Sequence, residues 1–199
     1  MDKTRLIVGM TCASGAPITV EILRQLKRHP DIEAHFVCTG NASLTLKQET
    51  DLSIDDLYSL ADVVYDNQNI GAAIASGTFP TAGMIVVPCS MKTAAGIICG
   101  YSDSLLLRAA DVTIKEGRKL VLVPRETPLS PIHLRNLYEL SRIGVAIVPP
   151  MITYYSGAEK ISDCTVHIAG KILDQFHIKC EGFQRWGEKA ADEVKLSDR

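Results

Sequence analysis

At 199 residues, with 46% apolar and 22% charged side chains, the chain has material for one core and reads as a single domain of ordinary globular composition. A formal charge of −2 with no basic or acidic block argues against a general nucleic-acid or membrane-surface binder and leaves room only for a local basic pocket. No apolar run approaches the roughly 18 residues of a membrane span, and MDKTRLIVGM has too short an apolar run for a signal peptide.

In chain order, short apolar runs alternate with helical patterns. The first strand is expected over 5–10, followed by a helix with Pro17 in its first turn and Ile18, Ile22, Leu23 and Leu26 at helical spacing. A strand over 34–39 leads to a helix carrying Glu49. Ser53 and Asp56 have the spacing of a capping box ahead of Leu57 and Leu60, and a strand over 63–66 comes next. The run 84–88 is the fourth strand. Ser102 suits the cap of a helix ending at Gly117, and 120–124 is the fifth strand. Ser130 and Pro131 open a helix that stops at Gly144, a strand covers 145–148, and a last helix runs from about 162 to 176. Continuously apolar strands separated by helices predict an α/β fold, a three-layer doubly wound parallel sheet. In such sheets ligands bind outside the carboxyl ends of the strands, which is where site residues are to be sought.

The first strand ends in Met10-Thr11-Cys12-Ala13-Ser14-Gly15-Ala16-Pro17. Small residues and a following helix N-terminus suit an anion; a tight turn with Ser14 as helix cap is the alternative. The second strand ends at Thr39-Gly40-Asn41, and Glu49 beyond it reads as a solvated helix-end carboxylate on pattern alone. The fourth delivers Ser90-Met91-Lys92-Thr93, hydroxyls and a cation that fit a polar ligand loop. Arg108, in a very apolar helix with Lys115 on roughly the same face, is a snorkelling residue, an ion pair with Asp111, or an anion clamp. The fifth strand stops at Pro124 and presents Arg125 and Glu126 in a corner fenced by Pro128 and Pro131. Arg125 offers a planar fork for phosphate and Glu126 a proton carrier, with a salt bridge between structural partners as the bland reading. Tyr155 follows the sixth strand as an aromatic wall or an interface packer. Together the strand ends suit a phosphorylated organic ligand, a nucleotide or flavin. The six cysteines form no CxxC pair, and free buried thiols in a reducing cytosol are expected.

The stretches SGTFPTAGMIVVPCSMKTAAGI, GYSDSLLLRAADVTIKEGRKLVLVPRETPLSPIHLRNL and LDQF…RW resemble the UbiX/Pad1 family of flavin prenyltransferases, in particular the small B subunits associated with hydroxyarylic (phenolic) acid decarboxylases. The resemblance runs from Arg5 to about Trp186, so a flavoprotein domain over 1–186 and a polar tail over 187–199 are expected. It implies a flavodoxin-like or Rossmann-like sandwich in a homo-oligomer, a dodecamer built of trimers. It implies transfer of a dimethylallyl group from dimethylallyl phosphate to N5 and C6 of reduced FMN, without a metal, giving prenylated FMN for a UbiD-type decarboxylase. A non-catalytic subunit that binds and delivers FMN is the alternative. A cysteine decarboxylase of the same architecture would want a histidine after the first strand, where Ala16-Pro17-Ile18 offers none.

Carried over by position, the resemblance assigns FMN binding to Cys12, Ala13, Ser14, Thr39, Ser90, Met91, Lys92, Thr93 and Arg125. It assigns the donor's phosphate to Arg108, Lys115, Tyr155 and Lys171, several of them supplied by neighbouring subunits. Ser14, Glu49, Glu126 and Trp186 form the catalytic set. Glu126 handles protons near flavin N5, Ser14 orients Glu49 or the phosphate oxygens, and Trp186 shelters the allylic cation. Cys12 stands where the family has glycine, Lys171 where it has arginine, and Tyr154-Tyr155-Ser156 where Phe-Tyr-His is common.

Overall fold

The computed structural model describes residues 3–187; of the expected polar tail, 188–199 lies outside the described residues. The chain folds into a six-stranded sheet in the order β3-β2-β1-β4-β5-β6, parallel throughout. The strands are β1 Thr4–Met10, β2 Ile32–Cys38, β3 Val63–Tyr65, β4 Gly83–Cys89, β5 Lys119–Pro124 and β6 Ala146–Ile147. Each lies within two residues of its expected position; the central strands are apolar runs covered on both faces, whereas β3 and β6 at the sheet edges are short and only partly buried. Every residue of β4 is buried, as befits a central strand.

Alternation along the strands divides the core in two. Leu6, Val8, Met10, Phe36, Ile85, Val87, Val121 and Val123 pack on one face with α1 (Ala16–Leu26), α2 (Ala42–Glu49), α3 (Ile54–Tyr58) and α7 (Ile161–Leu173). Ile7, Val37, Met84, Val86, Leu120 and Leu122 face the other layer, formed by α4 (Met91–Ile98), α5 (Leu105–Lys115) and α6 (Pro131–Arg142). The chain builds outward from β1 through β2 to β3, then returns to lay β4, β5 and β6 on the opposite side. The switch in strand order therefore falls between β1 and β4.

Local punctuation explains most helix ends. Ser53 and Asp56 form the expected reciprocal cap on α3. Ser130 caps α6, and its partner at the third helical position is His133, whose ring accepts from the Ser130 amide. The expected cap on α5 needs correction: the helix starts at Leu105, and neither Ser102 nor the N-cap Ser104 caps it through a side chain. Asn67, far away in sequence, accepts the Leu105 and Leu106 amides through its carbonyl and its side chain (2.9 and 3.0 Å). The cysteine expectation is also corrected in part. All six are free, but only Cys89 and Cys180 are buried, while Cys12 and Cys99 are exposed.

Candidate functional site

Thr11 marks the switch point. Its hydroxyl, 1% exposed, donates to the Pro88 carbonyl at 2.8 Å and accepts from the Ser90 amide at 3.0 Å. One side chain thus ties the end of β1 to the end of β4 and fixes the start of the Ser90 loop. Nothing in the local pattern signals this, since a threonine in a small-residue loop looks like any other. Thr11→Val keeps the shape but leaves the Ser90 amide unpaired and the Pro88 carbonyl with only the Thr11 amide at 3.2 Å, a loss of about 1–3 kcal/mol. The expected result is a lower melting temperature together with reduced flavin retention after purification.

Around this point lies a cleft of about 680 Å³, lined by Thr11, Cys12, Thr39, Ser90, Lys92 and Thr93 among others. That size suits a cofactor-scale ligand. Ser90 caps α4, its hydroxyl accepting the Thr93 amide and lying 3.0 Å from the Thr93 hydroxyl. Thr39, just after β2, keeps a buried hydroxyl with no partner among the described residues, a polar group waiting for one on the cleft wall. Ala13 and Met91 are buried side chains, so they offer a ligand main chain only. Cys12 has an ordinary negative φ and an exposed side chain, so replacing glycine there stores no backbone strain. The residue that does need glycine is Gly15, the α1 N-cap, at φ 122°.

No side-chain hydrogen bond from the N-cap closes α1. Glu49 takes that place: its Oε2 accepts from the Gly15 and Ala16 amides, both at 2.8 Å. The anion at this helix N-terminus is the chain's own carboxylate, held by charge-assisted hydrogen bonds. Ser14, expected to orient Glu49, makes no hydrogen bond among the described residues. Glu49 therefore stands immediately beside the Cys12–Ser14 loop in a fixed orientation.

Arg125 follows directly on β5, where its amide donates to the Cys89 carbonyl at 3.2 Å, so the end of β5 runs alongside the Ser90 loop. Arg125 and Glu126 are exposed and make no ion pair with each other or with another described residue. Among the described residues the carboxylate of Glu126 accepts only from the neighbouring Thr127 amide, at 3.2 Å.

A second hollow of about 590 Å³ lies between β6, α7 and the 183–186 segment, and shares no lining residue with the first. It brings together Tyr155, Lys171 and Trp186 from the sequence-derived set. Tyr155 stands edge-on to Trp186 at 5.1 Å and to His167 at 5.6 Å, giving an aromatic wall. Arg185 in the same wall pairs with Asp174, whose carboxyl it holds below the usual range through that hydrogen bond. Phe183 closes the wall against Gly170 of α7, where a β-carbon would come within 2.4 Å of the ring. Gly170→Ala gains about 1 kcal/mol in helix propensity but loses about 1–3 kcal/mol to overpacking against the ring root, which cannot swing aside. Net destabilisation is expected, read as a lower thermal midpoint, with Trp186 fluorescence altered because the segment bearing it must shift.

Arg108 and Lys115 are not gathered into either hollow. Arg108 pairs with Asp111 at 2.6 Å, and Lys115, at the far end of α5, pairs with Glu116. Within one subunit the 108/115 pair therefore lies apart from the other phosphate candidates.

Comparison with known proteins follows the same lines. The Flavoprotein family model matches residues 1–173. The flavin prenyltransferase LpdB of Lactiplantibacillus plantarum is 51% identical over 92% of this chain and 97% of its own length. The chain belongs to the UbiX-like flavin prenyltransferases, within the Flavoprotein family. A crystal structure of a dodecameric FMN-dependent UbiX-like decarboxylase from Escherichia coli O157:H7 superposes with a TM-score of 0.91 at 51% identity, covering 92% of this chain and 99% of that one. AnUbiX (PadA1), solved with FMN and dimethylallyl pyrophosphate, gives a TM-score of 0.90 at 44% identity, covering 92% and 97%.

Proposed function

We propose that this chain joins the dimethylallyl group of dimethylallyl monophosphate to N5 and C6 of reduced FMN, making prenylated FMN for a UbiD-type aromatic acid decarboxylase. The observation that carries the reading is the coexistence in one subunit of a polar cleft at the strand-order switch and a cationic, aromatic hollow two strands away. The first fits the flavin: the orphaned Thr39 hydroxyl, the Ser90–Thr93 cap and Lys92 would hold its polar and phosphate groups, with Cys12, Ala13, Ser14 and Met91 contributing main chain and Arg125 its fork. Reduced FMN, when bound, supplies the nucleophilic positions.

The remaining roles belong to the protein. Lys171 and Tyr155 would hold the donor's phosphate, with Arg108 and Lys115 delivered from a neighbouring subunit. Ionising an allylic phosphate requires cations at the departing oxygens. Trp186 would cover the cation that forms, its indole face taking positive charge without attacking it. Glu126, exposed and held only by the Thr127 amide, would move the proton near flavin N5. Glu49, fixed by two amides, would present its free oxygen to the bound ligands.

Assembly is part of the reading. Trp186 is 79% exposed and Tyr154 93%, and α6 presents Ile132, Leu134 and Tyr138 to solvent. Apolar surface of this extent is covered in homo-oligomers, and a dodecamer would complete each site with residues of its neighbours. We place the protein in the cytosol, with one flavoprotein unit through residue 186 followed by a polar tail; no helix among the described residues is long and apolar enough to cross a membrane.

The test is anaerobic incubation of the purified protein with reduced FMN and dimethylallyl monophosphate, followed by mass spectrometry of the bound flavin. A mass gain of one prenyl group is the expected result. Unchanged FMN, where a related enzyme run in parallel converts it, would reassign the chain to flavin binding and delivery.

A further inference from the structure

The second hollow contains an imidazole that none of the roles above uses. His167 sits one helical turn before Lys171 on α7, so the two side chains share a face, and both line the hollow. His167 is only 6% exposed. It is wedged between the edge of Tyr155 and the ring of Phe183, with centroids 5.6 and 5.1 Å away. Neither of its ring nitrogens has a hydrogen-bond partner among the described residues. The ring is packed between aromatic neighbours, yet its nitrogens are not fully buried, so they keep access to solvent and to any ligand that enters the hollow. The Thr153 hydroxyl in the same wall is fully buried without a partner among the described residues, and a buried polar group left so points to a missing one.

The charges facing this imidazole are few. Lys171 approaches from its own helix and makes no ion pair with a described residue, whereas Arg185 and Asp174 are engaged with each other. Tyr155 contributes a phenol from the turn after β6. Two unpaired polar groups and an ammonium therefore converge on one space. Lys171 is exposed and solvated when the hollow is free; an anion with several acceptor oxygens can engage its ammonium, the imidazole and the Thr153 hydroxyl together.

We propose that His167 is a further phosphate-binding residue of this site, and that its imidazole binds the donor's phosphate in protonated form, so that donor and proton bind together. The proposal rests on the transferase reading only for the identity of the phosphate ester.

With the hollow free of anion, burial foremost and then the nearby Lys171 charge draw the His167 pKa below its usual value. A bound phosphate raises it. Between those two values binding takes up a proton. The contribution of His167 to affinity is therefore complete below the free-state pKa and disappears as pH rises through the bound-state pKa. The second ionisation of the phosphate itself acts in the opposite sense, but does so equally in a variant lacking the imidazole.

The experiment is isothermal titration of the FMN-loaded full-length protein with dimethylallyl monophosphate, and separately with inorganic phosphate, in buffers of different ionisation heat. Wild type is compared with His167→Gln and His167→Phe, each first matched for flavin content and assembly mass. Wild type should take up more protons than either variant, and should bind about tenfold more tightly near about pH 6, with the advantage vanishing by about pH 8. Equal proton uptake and parallel pH profiles would overturn the proposal and leave His167 as an aromatic packer. Should neither variant fold, wild type alone decides: uptake beyond that set by the ligand's own ionisation supports the site, and uptake equal to it refutes the site. Linked uptake with both ligands but no prenyl transfer would reject the transferase reading while keeping the phosphate site. Prenyl transfer without linked uptake would do the reverse.

Discussion

Glu126→Gln is expected to leave FMN bound and to slow adduct formation by about 10²- to 10⁴-fold, the range a positioned acid or base contributes. The substitution isolates proton transfer. Glutamine keeps the length and planar end of the side chain and can still accept from the Thr127 amide, the carboxylate's present partner. It cannot take up a proton. Apart from Arg125, whose amide is tied to the Cys89 carbonyl, the groups proposed to hold the flavin lie in other segments: the Ser90 cap and Thr39, with the Thr11 junction behind them. Their geometry is set by buried hydrogen bonds that Glu126 does not share. Flavin content should therefore match wild type, while single-turnover mass spectrometry under anaerobic conditions shows the delay. Unimpaired turnover would remove Glu126 from proton handling, and loss of flavin along with rate would mean that the residue supports binding instead.

The placement of Glu126 was legible from the chain because three prolines and an apolar run leave little freedom. Val121 to Val123 must be a covered strand, Pro124 ends it, and the next side chains must emerge at the carboxyl edge. The same logic located Ser90 after β4 and Thr39 after β2. What pattern reading missed are side chains whose partners are distant in sequence. Thr11 meets Pro88 across 77 residues, Glu49 reaches the α1 terminus across 33 to 34, and Asn67 caps α5 across 39. Glu49 and Asn67 each replace a local device the chain offered, Ser14 as the α1 cap and Ser102 as the α5 cap. Propensity ranks local options, but a carboxylate or amide carried in by the tertiary fold competes for the same orphan amides. His167 escaped notice for a related reason. Its environment is made by Tyr155 and Phe183, residues 12 and 16 positions away on either side, and a histidine in an apolar helix has no signature of its own.

The two hollows have different degrees of completeness. The cleft at β1 and β4 is built from main-chain amides and short side chains fixed by neighbouring strands, so one subunit suffices to shape it. The hollow beside β6 is walled by side chains that are themselves half outside, Tyr155 at 50% and Trp186 at 79% exposure. An electrostatic site open to water is weak, because solvent screens the cation that must stabilise a leaving phosphate. Closure by neighbouring subunits would supply both the missing cations and the dry surroundings. Dilution into dissociated subunits should thus abolish prenyl transfer before it releases flavin.

Lys171→Met is expected to lower the rate of adduct formation by about 10²- to 10³-fold with flavin content unchanged, the loss typical of one charge-stabilising donor. Methionine preserves much of the apolar stem that packs along α7 and removes the ammonium. The hollow then loses an ammonium that forms no ion pair among the described residues, although Asp174, paired with Arg185, lies near enough to feel its charge. The effect should fall on kcat more than on KM, because charge on the phosphate oxygens grows as the carbon–oxygen bond breaks, and a fixed cation interacts most strongly with that developing charge. A rise in KM with kcat intact would mean that Lys171 merely gathers the donor. Lys171→Arg is the informative companion. Its planar fork offers two parallel hydrogen bonds where lysine offers a point charge, and the family resemblance implies arginine at this position, so activity should be kept. In that variant the dependence on His167 should shrink, because the fork would satisfy oxygens that the imidazole otherwise reaches. A Lys171→Arg protein as sensitive to His167→Gln as wild type would show that the two side chains serve different oxygens.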